Sequence, residues 1–155
     1  MDHLVGKIRS KGIVNYALDF HTHEHFEILL MHGGNCRFLV GNQLYHLQPG
    51  SVLMLDGMTV HRAYVYGDED AYERSVVHFE ASWISPLLQE LGAESLLEMF
   101  TENRNGLIRS FSKRDEALIE HMMIQLIQLS EDTNTLAEAQ RKIILVQLLI
   151  HITQS

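Results

Sequence analysis

Three histidines and a glutamate fall at alternate positions in HTHEHFE, residues 21–27. If this stretch is a β-strand, its side-chain period of two brings His21, His23, His25 and Glu27 to one face. Imidazole nitrogens and a carboxylate are good ligands for a divalent transition metal such as Zn, Ni, Mn or Fe, at roughly 2.0–2.2 Å. The same groups can hydrogen-bond the hydroxyls of a small polar molecule, because a neutral imidazole both donates and accepts. One strand does not usually close a coordination sphere, and His61, in DGMTVHR, is the candidate for a further ligand. Arg74 and His78 share a face of a later strand by parity, where they suit an anionic or hydroxylated ligand. The plainer alternative pairs Arg74 with Glu73 or Glu80 at the surface.

The elements that must position these residues change character near residue 83. Before it, short apolar runs are separated by turn signals. NCRFLV and QLYHL flank Gly41-Asn42, a hairpin signature. Pro49-Gly50 turns the chain into SVLML, Asp56-Gly57 ends that run, and AYERSVVHFE follows the acidic GDED. Many short strands joined by Gly and Pro turns suggest a sandwich or barrel. After Trp83 the period is helical. SPLLQELGAESLLEMF reads as two short helices broken at Gly92. Ser112 with Asp115, then Thr135 with Glu138, are capping signatures for two longer helices, and the short link between them predicts an antiparallel hairpin.

In the last helix, Ile143, Ile144, Leu145, Val146, Leu148, Leu149, Ile150 and Ile152 surround the axis almost completely. A helix lying on a small domain needs one apolar face. The excess calls for a second partner, most simply a copy of the same chain across a two-fold axis. Tyr64 and Tyr66, opposite to His61 in parity, are expected to pack under the helices, and Trp83 to close the barrel against the first helix. His32, His46, His121 and His151 read as surface or satisfied histidines, and Met122 and Met123 as packing residues. Cys36 has no neighbouring base that would make it a nucleophile, so no catalytic residue is assigned.

The formal charge is −8, with twelve Lys and Arg scattered singly or in pairs. Without a basic stripe the chain as given should not hold DNA by itself. A single cysteine precludes an internal disulfide and fits a reducing cytoplasm. No apolar run approaches the ~20 residues needed to span a bilayer, so no membrane partner is expected.

Resemblance sharpens this reading. His21-x-His23 followed by Glu27 and Gly34 resembles the first motif of the cupin superfamily. Pro49-Gly50 through His61 is similar to the second motif, with Asp56-Gly57 where Pro-x-Gly is usual. That pattern would assign His21, His23, Glu27 and His61 as metal ligands. A longer match runs from HTHEHFEILLMHGGNCRFLVGNQLYHLQPGSVLMLDGMTVHRAYV through YERSVVHFEASWI. It resembles the effector-binding domain of bacterial AraC-type transcription regulators and covers nearly everything from about residue 15.

The resemblance implies an α+β fold. A cupin-like β-barrel (double-stranded β-helix, or jelly roll) would occupy residues 1–82, with a flexible N-terminal arm to about residue 14. Residues 83–155 would be helical, with an antiparallel dimerisation hairpin at about 112–153. It further implies a small polar effector, such as a sugar, bound in the barrel at His21, His23, His25, Glu27, His61, Arg74 and His78. The partner would be a second copy, with DNA reached only through a helix-turn-helix half lying outside this sequence. The alternative from another class is a small metal-dependent cupin enzyme, an isomerase or dioxygenase. Against it stand the long helical hairpin and the lack of an acid or base beyond the ligand set.

Overall fold

The computed structural model describes residues 3–12, 25–57, 61–101 and 107–154. His21 and His23 lie outside them. The strands are β1 (Leu4–Lys11), β2 (His25–Gly33), β3 (Asn35–Val40), β4 (Gln43–Leu47), β5 (Ser51–Asp56), β6 (His61–Tyr66), β7 (Glu73–Glu80) and β8 (Leu107–Ser110). The helices are α1 (Ala81–Glu90), α2 (Ser95–Thr101), α3 (Lys113–Leu129) and α4 (Thr135–Gln154). Among the described residues the strands form two sheets rather than one closed barrel. The larger has the order β1-β7-β2-β5-β8 and the smaller β4-β3-β6.

The larger sheet is apolar on both faces, which is why Ile28-Leu29-Leu30-Met31 and Val52-Leu53-Met54-Leu55 are unbroken hydrophobic runs. Ile28, Leu30, Val52, Met54, Val77 and Phe79 face the helices, where they meet Ile84, Phe100, Met123 and Leu149. Leu29, Met31, Leu53, Leu55 and Val76 face the smaller sheet, meeting Cys36, Phe38, Val40 and Leu47. Phe100 of α2 stacks on Phe26 at 4.6 Å and meets Phe79 edge-on at 5.6 Å, fixing the short helix to the sheet.

Two expectations need correction. Residues 4–11 are not a loose arm: β1 pairs antiparallel with β7, from Leu4 opposite Phe79 to Lys11 opposite Glu73. Leu4 and Ile8 join the helix-side core. The position between them must be glycine, because a Cβ on Gly6 would collide with the Val76 carbonyl and lie 2.9 Å from Ile127 Cδ1 of α3. Nor is everything after residue 83 helical. The four residues of β8 return to pair with Ser51–Met54 and cover the bare edge of β5. So short a strand leaves no readable period between helices.

The helical hairpin is as the link length implied. Ser112 Oγ accepts the Asp115 N–H at 3.2 Å and caps α3. At α4 the capping residue is Asn134, not Thr135: its Oδ1 accepts the Leu136 N–H at 3.0 Å. Glu138, released from a capping role, accepts the Trp83 Nε1–H at 3.1 Å. Trp83 therefore ties α1 to α4 instead of closing a barrel.

An ionic seam docks α3 onto the larger sheet. Arg9 Nε and Nη2 donate to the two carboxylate oxygens of Glu120, at 2.6 and 2.8 Å, and Nη1 donates to Glu73 at 2.8 Å. The Arg9 amide donates to Ser75 Oγ at 3.1 Å, and Ser75 Oγ lies 2.6 Å from His32 Nε2. His32 Nδ1 is 3.5 Å from Glu116 Oε1 and 3.9 Å from Glu120 Oε2. The imidazole is 2% exposed, not a surface group. Burial, then the Arg9 charge, push its pKa below the ordinary 6.5, against the pull of Glu120 and Glu116. The Arg9 hydrogen bonds hold the Glu120 carboxyl below its ordinary 4.5.

Both shifts have one sign. The unfolded chain takes up protons more readily than the native one, so stability falls on acidification, first below 6.5 through His32 and then below 4.5 through Glu120. The thermal midpoint should drop between about pH 7 and pH 5, and His32→Gln should flatten that slope. An unchanged slope in the variant, followed by calorimetry across the range, would remove His32 from the seam.

Candidate functional site

Strand parity decides which polar side chains enter the space between the sheets. On β2, Glu27 shares the inward face of Leu29 and Met31. On β7, Arg74 and His78 flank the inward Val76, and Tyr72, just before the strand, has the same parity. The pairing register sets Glu27 opposite His78, Leu29 opposite Val76 and Met31 opposite Arg74. Glu27 Oε1 is 3.6 Å from His78 Nε2, and each side chain is 12% exposed. Glu27 and His78 are thus brought together across neighbouring strands.

Arg74 stands four residues from His78, about 13 Å along the strand at ~3.3 Å per residue. It is 5% exposed. One Nη donates to the carbonyl of Ser10 at 3.2 Å and to that of Gly12. The guanidinium lies 4.5 Å over the ring of Tyr72. The alternative partners considered for Arg74 are engaged elsewhere: Glu73 by Arg9, and Glu80 by His3 Nδ1 at 2.9 Å.

Tyr72 and Cys36 complete the inner polar set, each shifting the other's titration, while Cys36 Sγ donates to the Arg37 carbonyl at 3.6 Å. Burial raises the phenol well above its ordinary value, helped by Cys36 and by Glu27, whose negative charge reaches it. Burial likewise raises the Cys36 thiol above 9.0, with Tyr72 and Arg74 opposing. Neither residue stood out as a site residue in the sequence, although positions 72, 74, 76 and 78 share one parity and carried the signal.

His25 sits at the rim. Its carbonyl accepts the Gly57 N–H at 2.8 Å, and its imidazole covers the turn so closely that a Cβ on Gly57 would be 2.6 Å from Nε2. The glycine of Asp56-Gly57 is therefore a packing requirement of His25. His61 opens β6 with its backbone opposite Val40, and its side chain, like His21 and His23, lies outside what is described. Among the described residues no three His, Cys, Asp or Glu gather to hold a metal. Glu27 is the one candidate metal ligand whose carboxylate is described, and it is paired with His78.

Tyr64 and Tyr66 are exposed on the outer face of the smaller sheet, not under helices. Arg62 covers Tyr64 at 5.4 Å, and Arg37 covers Tyr66 at 5.3 Å. The reason is that α1, α2 and α3 pack against the larger sheet, and α4 packs on those helices. A cleft of about 750 Å³ lies outside the sheets between α1 and α2, with Phe26, Ser85, Gln89 and Leu97 among its walls.

Two antiparallel sheets enclosing a polar set, with a helical hairpin behind one of them, define a cupin-like α+β domain. The family model described as the AraC-like ligand binding domain matches residues 9–149, and the chain belongs to that family. Apo ToxT K231A from Vibrio cholerae strain SCE256 superposes with a TM-score of 0.63 at 12% identity, covering 98% of this chain and 56% of that one. ToxT from Vibrio cholerae O395, bound to (E)-4-(8-methylnaphthalen-1-yl)but-3-enoic acid, gives 0.51 at 14% identity, covering 95% and 54%. The chain thus spans little more than half the length of these structures. No curated protein matches it by sequence. No described helix is long and apolar enough to cross a membrane.

With Cys36 fully buried and its thiol raised, a thiol-reactive disulfide reagent at pH 8 should modify the native protein at least ~100-fold more slowly than the urea-unfolded chain. Rapid native labelling would place Cys36 outside the sealed interior.

Proposed function

We propose that this ligand-sensing domain binds a small polar effector, such as a sugar, between its sheets and reports occupancy to a DNA-binding half elsewhere in the protein. The carrying observation is the inward Glu27–His78 pair, a carboxylate and an imidazole held 3.6 Å apart between the sheets. Such a pair offers acceptor and donor functions suited to hydroxyl groups. His25 at the rim, with His21, His23 and His61 from the same sequence motifs, would extend it, with or without a bound metal. The domain acts by binding and not by catalysis. To switch anything, the effector must favour one arrangement of the domain over another.

A thermal-shift screen of sugars and hydroxy acids tests the reading. Glu27→Gln should abolish stabilisation by the hit while leaving the apo midpoint within about 2–4 °C, the scale of a change of about 1 kcal/mol. An undiminished response in the Glu27→Gln, His78→Ala double variant would exclude the inner pair from the site.

We further propose that the domain dimerises through α4. Leu148, Leu149 and Ile152 are fully buried within the chain. Leu136, Ile143 and Ile150 are 71%, 55% and 37% exposed. Their seven-residue spacing lines them up along one side of the helix, as in a two-stranded seam. Ile143→Glu combined with Ile150→Glu should give monomers by light scattering with the fold retained. A dimer that survives both changes would put the interface elsewhere.

A further inference from the structure

The end of β1 is held from both sides of the larger sheet by two different arginines. Up to Lys7 the strand pairs regularly with β7, ending with Lys7 opposite Val76, and the next matched pair is Ser10 opposite Arg74. One extra residue is therefore inserted on β1 between them, a β-bulge. Arg9 lies in that bulge with φ 49, the left-handed region that a non-glycine residue rarely adopts.

The bulge has a consequence for direction. In unbroken alternation, position 9 shares its face with Val5, which sits opposite the inward His78. The inserted residue reverses this. The Arg9 guanidinium is delivered to the helix side, where it grips both oxygens of Glu120 on α3 and one of Glu73. The residues immediately after it are held from within the sheets, through the donation of Arg74 to the carbonyls of Ser10 and Gly12. The Gly12 N–H is fixed in turn on the Tyr72 carbonyl at 2.9 Å. Four consecutive residues thus connect the inner polar set to the first half of α3.

We propose that residues 9–12 are a two-register latch coupling the interior at Arg74 to α3. In the bulged register Arg74 holds Ser10 and Gly12, and Arg9 holds Glu120. When Arg74 releases those carbonyls, the strand falls back into regular pairing. Arg9 then relaxes out of its left-handed conformation, leaves Glu120 and loosens the seat of α3. The latch deepens the regulatory reading and takes its purpose from it, but its test needs no ligand. Failure of an effector to bind therefore leaves the test unaffected.

Hydrogen exchange on the whole chain, read peptide by peptide, measures the coupling. Arg74→Met should speed exchange of residues 116–124 in α3 by about tenfold, Arg9→Gln should do the same, and the double variant should go no further. The buried stretch 145–152 of α4 should keep its protection in all three. Wild-type α3 exchange in Arg74→Met, or single effects that multiply in the double variant, would overturn the latch. Should Arg74→Met lose its cooperative melt, Glu120→Gln reads the coupling from the other end. By reciprocity the Gly12 amide must then exchange about tenfold faster. A Gly12 amide unmoved by Glu120→Gln would equally overturn it.

Discussion

Burial of both faces of one five-stranded sheet is the constraint from which the rest follows. Ile28 and Leu30 look to the helices while Leu29 and Met31 look to the smaller sheet, so β2, β5 and β7 each serve two cores at once. A polar residue on such a strand enters one core or the other and must find partners there, because an unsatisfied buried polar group costs about 1–3 kcal/mol. Two separate polar assemblies result. Glu27, Tyr72, Arg74, His78 and Cys36 share the inner side. His32, Ser75 and Glu73 meet Arg9, Glu116 and Glu120 on the helix side. Neighbouring residues of one strand, Arg74 and Ser75, belong to opposite assemblies, which is how the two come to lie a single peptide unit apart.

The strands and helices were largely legible, because their signals are local. Gly41-Asn42 between two β-prone runs gives the two-residue loop that joins β3 to β4, with Val40 opposite Gln43. Gly92, at φ 64, divides α1 from α2 as its place in the pattern implied. What escaped was non-local. Alternating residues in LVGKIRSK show that a strand is possible but not that β7 has a free edge to receive it. The four residues of β8 are too few to interrupt a helical period. The capping role falls to Asn134 and not Thr135, and Glu138 instead accepts from Trp83, a contact made across 55 positions of chain.

For the candidate site, spacing picked out Glu27 and His78 among the candidate residues, and sheet register brings those two together. Arg74 has the same parity, yet register separates it from that pair, and parity alone carries no information about distance along a strand. His32, read as an ordinary histidine, lies in the buried ionic seam. Its charged neighbours come from elsewhere in the chain: Arg9 on β1, and Glu116 and Glu120 one helical turn apart on α3. Tyr64 and Tyr66 show the converse. Their parity was right, but which sheet the helices cover is a matter of topology.

The enclosed polar set lies on the inner face of the larger sheet, and Leu136, Ile143 and Ile150 are exposed along α4 on its other side. Isotope-edited NMR during titration with a small-molecule hit compares the two places where such a ligand could sit. If the space between the sheets is the binding site, the largest shift changes fall on Glu27, Leu29, Tyr72, Arg74 and His78. Changes concentrated instead on Ser85, Gln89 and Leu97, around the cleft outside the sheets, would contradict it.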